Sequence, residues 1–311
     1  MKAMKKLAGA VIACLLMLGI VGTVPAEAAT LIRSVLSYDA YMEPADRELY
    51  GNYQLFFAYQ SGFLIRADAD GSNWTDIVMQ DADKNLGAVA NGTSVLYSLY
   101  KKNTLTVWKT NLATMKKTKV TAISIKAKEA SICGFYNNVL YYSATSRKGA
   151  HLMFSYPLST KVSKKMGSGV IPRAQVSRYL IYYREKLDGT EGYILKSYDI
   201  RNKTGVTVDN AAETAVRIGK YLYYTKYGYE QYVVAGSLQR IPMIEAYRYD
   251  LDAHTSKKLL STGRESYGIY RVTSKGLYLH EKDSTDAWPF FFVDYNTGKM
   301  RKAEFGEISP V

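Results

Sequence analysis

Few side chains in this sequence have the type and spacing that covalent chemistry needs. Its three histidines, His151, His254 and His280, stand far apart along the chain. The one local set that could pass a proton is His280 with Glu281 and Asp283, and those residue types suit a solvated turn equally well. Asp68-Ala69-Asp70-Gly71-Ser72-Asn73 resembles the opening of a calcium loop, but it lacks the third acidic ligand and the closing Glu. No HExxH, GxSxG, CxxC or phosphate-binding glycine loop is present. We therefore assign no catalytic residue, metal or cofactor from sequence. Recognition chemistry is better represented. Lys226, Tyr227, Tyr229 and Tyr232 fall within one short stretch, where tyrosines can stack on sugar rings or anchor a protein partner. Arg147, Lys148, Arg184 and Lys186 are the cations of two polar segments, and Glu281-Lys282-Asp283 forms a third. These eight aromatic and basic residues are the candidate binding set.

The elements that must position them recur six times. A short apolar-aromatic strand appears as Leu55-Phe56-Phe57, Leu96-Tyr97-Ser98, Leu140-Tyr141-Tyr142, Ile181-Tyr182-Tyr183, Leu222-Tyr223-Tyr224 and Leu277-Tyr278-Leu279. A second strand ends each time at Asp68, Asn111, Pro157, Asp199, Asp250 and Asp294, which stand 43, 46, 42, 51 and 44 residues apart. A Lys-rich tail follows. Strand-type content at a period of roughly 40–50 residues predicts a propeller with one four-stranded blade per repeat. Gly51-Asn52, Asn91-Gly92, Asn137-Asn138, Gly219-Lys220 and Lys275-Gly276 supply the first turns, with residues that tolerate positive φ. No stretch carries a sustained helical period. The fold expected is all-β: a six-bladed β-propeller of four-stranded blades over residues 48–305, behind an N-terminal strand or linker at 29–47 and ahead of a tail at 306–311. Thr30 to Met42 reads as one additional strand that could pair with the last blade and close the ring.

The intervals inside the repeats single out one of them. From the Leu or Ile position to the Asp, Asn or Pro position they are 13, 15, 17, 18, 28 and 17 residues. The fifth repeat thus carries an insertion of about ten residues, from Lys226 to Met243, on the face where ligands meet propellers. It reads either as an aromatic recognition loop or as a longer hairpin whose tyrosines cover the blade. Tyr97, Tyr141, Tyr182, Tyr223 and Tyr278 recur once per repeat and are expected to pack between blades.

Residues 1–28 look like a cleavable signal peptide. Lys2, Lys5 and Lys6 precede an apolar run from Leu7 to Val24, and Ala26-Glu27-Ala28 offers a small-x-small cleavage site. A lipoprotein attached through Cys14 and a retained anchor are the alternatives. The expectation is a bacterial protein, secreted or in the cell envelope, with no membrane span in the mature chain. With Cys14 removed, Cys133 has no partner, and its apolar surroundings suggest a buried, inert thiol. The formal charge of +13 invites an anionic partner. Much of it lies at Lys116, Lys117, Lys119, Lys161, Lys164, Lys165, Lys257, Lys258, Lys299, Arg301 and Lys302, where the outermost strand of each blade is expected. There lysine also blocks edge-to-edge pairing.

The repeats, best preserved in Leu222-Tyr223-Tyr224 and Tyr247-Arg248-Tyr249-Asp250-Leu251-Asp252, resemble the tyrosine-rich bacterial propellers, which are similar in style to YWTD-type and TolB-like propellers. The resemblance spans about residues 45–305. Arg66-Ala67-Asp68-Ala69-Asp70-Gly71 keeps the pattern, whereas Pro157 replaces the Asp of the third repeat. It implies extracellular recognition and adds little about the ligand. The first expectation is therefore a non-catalytic, monomeric propeller that recognises a protein, a cell-wall glycan or an anionic polymer, and not nucleic acid. A propeller enzyme, lactonase- or lyase-like, is the second. It would need charged residues on the innermost strands, where Glu48, Arg217 and Arg271 are the main candidates. A scaffold held to the wall by its lysine rim is the third.

Overall fold

Central strands of this chain are buried on both faces, and that fact organises the molecule. Tyr141 and Tyr142 point to opposite sides of one strand, yet both are buried, as are Tyr223 and Tyr224. A sheet can bury both sides of such a strand only if another sheet covers each side. The computed structural model describes residues 30–31, 50–58, 63–78, 86–186, 192–234, 237–263, 267–282, 285–286, 289–304 and 307. The signal-peptide reading, Glu48 and Asp283 fall outside them. All the elements are strands, and among the described residues no helix is long and apolar enough to cross a membrane.

After a two-residue β1 (Thr30–Leu31), the chain folds as successive antiparallel meanders. The first comprises β2 (Tyr53–Ala58), β3 (Phe63–Asp68) and β4 (Thr75–Val78). The second comprises β5 (Gly87–Asn91), β6 (Ser94–Lys101), β7 (Thr104–Asn111) and β8 (Lys117–Ser124). The third comprises β9 (Glu129–Tyr136), β10 (Val139–Thr145), β11 (His151–Pro157) and β12 (Lys164–Ser168). The fourth and fifth share a strand: β13 (Val170–Val176), β14 (Tyr179–Arg184) and β15 (Tyr193–Asp199) lead into the 15-residue β16 (Thr204–Ile218). The N-terminal half of β16 pairs with β15, and its C-terminal half with β17 (Tyr221–Val234). Then come β18 (Ser237–Asp250) and β19 (Thr255–Gly263), and a last meander of β20 (Tyr267–Val272), β21 (Gly276–Glu281), β22 (Phe290–Asp294) and β23 (Met300–Lys302).

The core lies between consecutive meanders. One cluster joins Leu64 and Ile77 of the first to Ala88 and Tyr97 of the second, and another joins Leu96 and Val107 to Ile132 and Tyr142. Tyr141 meets Leu180, Tyr183 meets Leu222, and Tyr223 meets Leu277 in the clusters that follow. Tyr97, Tyr141, Tyr223 and Tyr278 are buried as expected, and Tyr182 is half-buried. Cys133 is buried and free, and burial pushes its thiol up to about 12, so it is inert at neutral pH.

β1 corrects one expectation. Instead of pairing with the last meander, Thr30 lies between Ala90 of β5 and Val176 of β13, and Leu31 pairs with Val89. The first strands of the second and fourth meanders have open edges, and a short extended segment satisfies both. The remainder of Thr30 to Met42 falls outside the described residues.

The recurring Asp or Asn has a structural task. Asp250 accepts the backbone N–H groups of Asp252 and Ala253 at 2.9 and 3.0 Å, and Asp294 accepts those of Asn296 and Thr297 at 2.9 and 2.8 Å. Asn111 and Asp199 do the same with the residues two and three further on. This is the Asx-turn that carries the chain into the last strand of a meander. Asp68 and Asp70 are likewise engaged within their turn, with Asn73 Nδ2 at 2.7 Å and Ser72 N at 2.9 Å.

The backbone hydrogen bonds hold the Asp250 and Asp294 carboxyls below the ordinary value. A lowered folded-state value means stability that is complete above the unfolded-state pKa of about 4 and lost as pH falls through the folded value. Asparagine keeps the acceptor oxygen but does not titrate. The double variant D250N/D294N should therefore lose less stability than the parent when urea unfolding is followed from pH 6 down to pH 3. Parallel declines would show that these caps do not contribute to acid sensitivity.

Candidate functional site

The insertion of the fifth repeat is the longer hairpin of the two readings, but Tyr229 and Tyr232 are exposed rather than covering the sheet: the two strands simply continue. β17 and β18 pair without a break from Tyr221↔Asp250 out to Val234↔Ser237. Their neighbours stop earlier, because the last partner of β16 is Lys226 and the last of β19 is Met243. Beyond those points the hairpin is a two-stranded ribbon with no strand paired beside it among the described residues. Tyr, Val, Ile and Leu dominate this segment and favour extended backbone. Gly228 stays in register, with its α-carbon facing the Glu245 side chain.

The candidate residues divide along the ribbon. At the base, the Lys226 ammonium is 3.1 Å from Asp209 Oδ2 and lies over the Tyr247 ring. The Tyr247 hydroxyl donates to Glu245 at 2.7 Å, and Lys258 donates to the same carboxylate at 2.5 Å. Burial works against the Glu245 anion, yet those two donors outweigh it and hold its pKa below the usual range. Tyr227 packs against the core that includes Ile244 and Leu279. Both residues thus support the arm. Further out, Tyr229 and Tyr232 are 60% and 42% exposed and available to a partner.

The basic residues lie at the same end of the sheets. Arg184 pairs with Ile194, whose neighbour Tyr193 pairs with Ala212, and Ala212 pairs with Lys226, so adjoining positions of the ladder lead from the end of β14 to the foot of the arm. Across from the third meander, His151 Nε2 approaches Glu185 at 3.7 Å and Gly169 N donates to the His151 carbonyl. Arg147 and Lys148 occupy the exposed turn just before His151, Arg184 is exposed, and Lys186 is half-buried. These pairings connect Arg184 with the foot of the arm at Lys226 and bring the turn of Arg147 and Lys148 towards Glu185, while Tyr229 and Tyr232 project further along the arm. The sequence reading missed four of their neighbours on the arm: Val233, Val234, Leu238 and Arg240. Tyr232-Val233-Val234 next to Leu238 was a visible signal, because nothing charged interrupts it.

The catalytic candidates disperse. Among the described residues no three His, Cys, Asp or Glu side chains could hold a metal ion. His280 is exposed against the Phe290 ring, and His254 sits in a turn with Nδ1 2.9 Å from the Tyr249 hydroxyl. Arg217 donates to the Gly219 carbonyl at 3.1 Å. Arg271 is buried over the Tyr278 ring and donates to the Glu307 carbonyl at 2.9 Å.

No protein-family model matches the chain, and no curated protein matches it. Among solved structures it is similar to an oligogalacturonate lyase in complex with manganese, at 13% identity over 88% of this chain and 78% of that one, with a TM-score of 0.51. The oligogalacturonate lyase of Vibrio parahaemolyticus is similar at 8% identity over 89% and 79%, with a TM-score of 0.50. The TolB of Acinetobacter baumannii gives 14% identity over 88% and 65%, with a TM-score of 0.42. These neighbours are β-propellers, and at such identities the likeness is one of fold.

Proposed function

We propose that this chain is an exported, non-catalytic six-bladed propeller that binds a protein or cell-envelope polymer through the rim that carries the arm. The observation behind this reading is the arm itself, an uncovered ribbon with exposed tyrosines standing where the basic turns gather. Each meander is one blade, β16 serves two of them, and the tyrosine-rich repeat is the blade signature. Two features weigh against the lyase-like alternative. The first strands of the meanders would line the channel of such a ring, and β1 already lies between two of them. The charged side chains expected there, Arg217 and Arg271, are tied to backbone carbonyls.

The lysines of β8, β12, β19 and β23 lie on the last strand of their sheets, where blocking edge pairing accounts for them. Incubation with isolated cell envelopes over a salt series tests the reading. The parent should bind, and binding should survive moderate salt. A variant in which Tyr227 to Met243 is replaced by a tight turn should lose it. Equal binding by both proteins, with salt alone releasing them, would transfer the adhesive role to the lysine rim.

A further inference from the structure

The end of the arm carries exposed apolar side chains on both of its faces. Cross-strand partners share a face, so Tyr229 with Pro242 and Val233 with Leu238 lie on one side. Tyr232 with Gln239 and Val234 with Ser237 lie on the other. Val233 is 68% exposed, Leu238 58% and Val234 51%. A protein partner laid against either face would leave apolar side chains of the opposite face in water. A medium that surrounds the end covers both.

Charge sets the depth. Counting back from the end, the first four cross-strand pairs are Val234–Ser237, Val233–Leu238, Tyr232–Gln239 and Gln231–Arg240. The first charged side chain met is therefore a cation, Arg240, which is exposed, and the acidic Glu230 comes one pair later. At about 3.3 Å per residue, Arg240 stands roughly 10 Å behind the end. That spacing fits a segment whose apolar side chains sink about 5–10 Å into the interfacial zone while a cation meets lipid phosphate. Tyr232, one pair nearer the end than Arg240, falls at the depth where tyrosine is favoured at membrane interfaces. The ribbon's outer backbone groups have no strand beside them, which limits insertion to the zone where water and head groups can pair with them. The positive net charge, +13 over the whole sequence and +11 without residues 1–28, adds long-range attraction to an anionic surface.

We infer that the arm docks the protein on a lipid bilayer with anionic head groups, Val233, Val234 and Leu238 entering the interface and Arg240 contacting phosphate. The inference rests on the proposed reading of this rim as the contact face and adds a lipid surface to it. The full mature chain should sediment with phosphatidylglycerol-containing vesicles. V233D/L238D should bind them about tenfold more weakly or worse, because a carboxylate is costly in the apolar zone. R240E should weaken binding, and R240K should retain it. In V233W, the new indole should shift its emission to the blue on vesicle addition and be quenched by brominated lipid. The altered side chains lie beyond both neighbouring strands, so each variant should unfold at the parental temperature. Unchanged vesicle binding by V233D/L238D, or no vesicle binding by a parent that still binds lipid-extracted envelopes, would overturn the inference while leaving the rim reading standing. A parent that binds neither vesicles nor envelopes would remove both.

Discussion

Replacing Gln175 by leucine should destabilise the protein by about 3–5 kcal/mol, although the side-chain volume barely changes. Gln175 lies on β13 and is completely buried. Its Oε1 accepts the Phe135 N–H at 2.8 Å, and its Nε2 donates to the Phe135 carbonyl at 2.9 Å and to the Ser177 carbonyl at 2.8 Å. Phe135 belongs to β9, the first strand of its meander, so its outward N–H and C=O have no neighbouring strand. The carboxamide supplies the donor and the acceptor that one peptide group of such a strand would offer. Leucine removes both and leaves the Phe135 N–H and the part-buried Phe135 and Ser177 carbonyls without this partner, at up to about 1–3 kcal/mol each. Glutamate keeps the acceptor but turns a second oxygen toward the Phe135 carbonyl, so Q175E should be at least as damaging at neutral pH. Urea unfolding of the three proteins gives the answer. A loss below about 1 kcal/mol for Q175L would mean that water replaces the amide there.

That residue also marks the limit of what the sequence disclosed. The strands were legible because runs of apolar and aromatic residues recur, with ends 42 to 51 residues apart, and most repeats use an Asp or Asn at the turn into their last strand. Asp199, Asp250 and Asp294 repeat because the turn needs an acceptor at that point, and Asn111 fills it as well. Gln175, inside Ala174-Gln175-Val176, carries no such mark, because its partner is 40 residues away. β1 was illegible for a similar reason: two residues hold too little pattern to choose among open strand edges, and tertiary pairing decided the matter.

The binding set was legible in part. Interval counting located the insertion, and tyrosine content pointed to recognition. Whether Tyr227 to Met243 forms a loop or a ribbon depended on cross-strand register, which length alone does not specify. Lys226 and Tyr227 looked equivalent to Tyr229 and Tyr232 in sequence. The structure separates them because β16 and β19 end beside the first pair and leave the second uncovered. Val233, Val234 and Leu238 were passed over because apolar residues in a strand are ordinarily core, and only their exposure changes that reading.

The contact between the second and third meanders should tolerate added volume poorly, with Gly87 at its tightest point. A β-carbon on Gly87 would lie 2.5 Å from the Ile132 carbonyl oxygen, 2.8 Å from Ile132 N and 2.9 Å from Ser131 Cβ. Two of those atoms are backbone and cannot rotate away. Gly87 also pairs with Ser98, whose buried hydroxyl accepts the Ile132 N–H at 2.9 Å. Separating β5 from β9 to admit a side chain would stretch that hydrogen bond and open the Val89, Leu96 and Ile132 contacts. We expect G87A to cost about 2–3 kcal/mol, as overpacking of a close-packed interior does, and G87V to cost more or to prevent folding. Gly263, with open space around its α-carbon, is the control, and G263A should unfold close to the parental midpoint. The measurement rests on G87A against G263A in urea, both of which should remain soluble. Equal midpoints for those two would show that β5 and β9 lie further apart in solution than these distances.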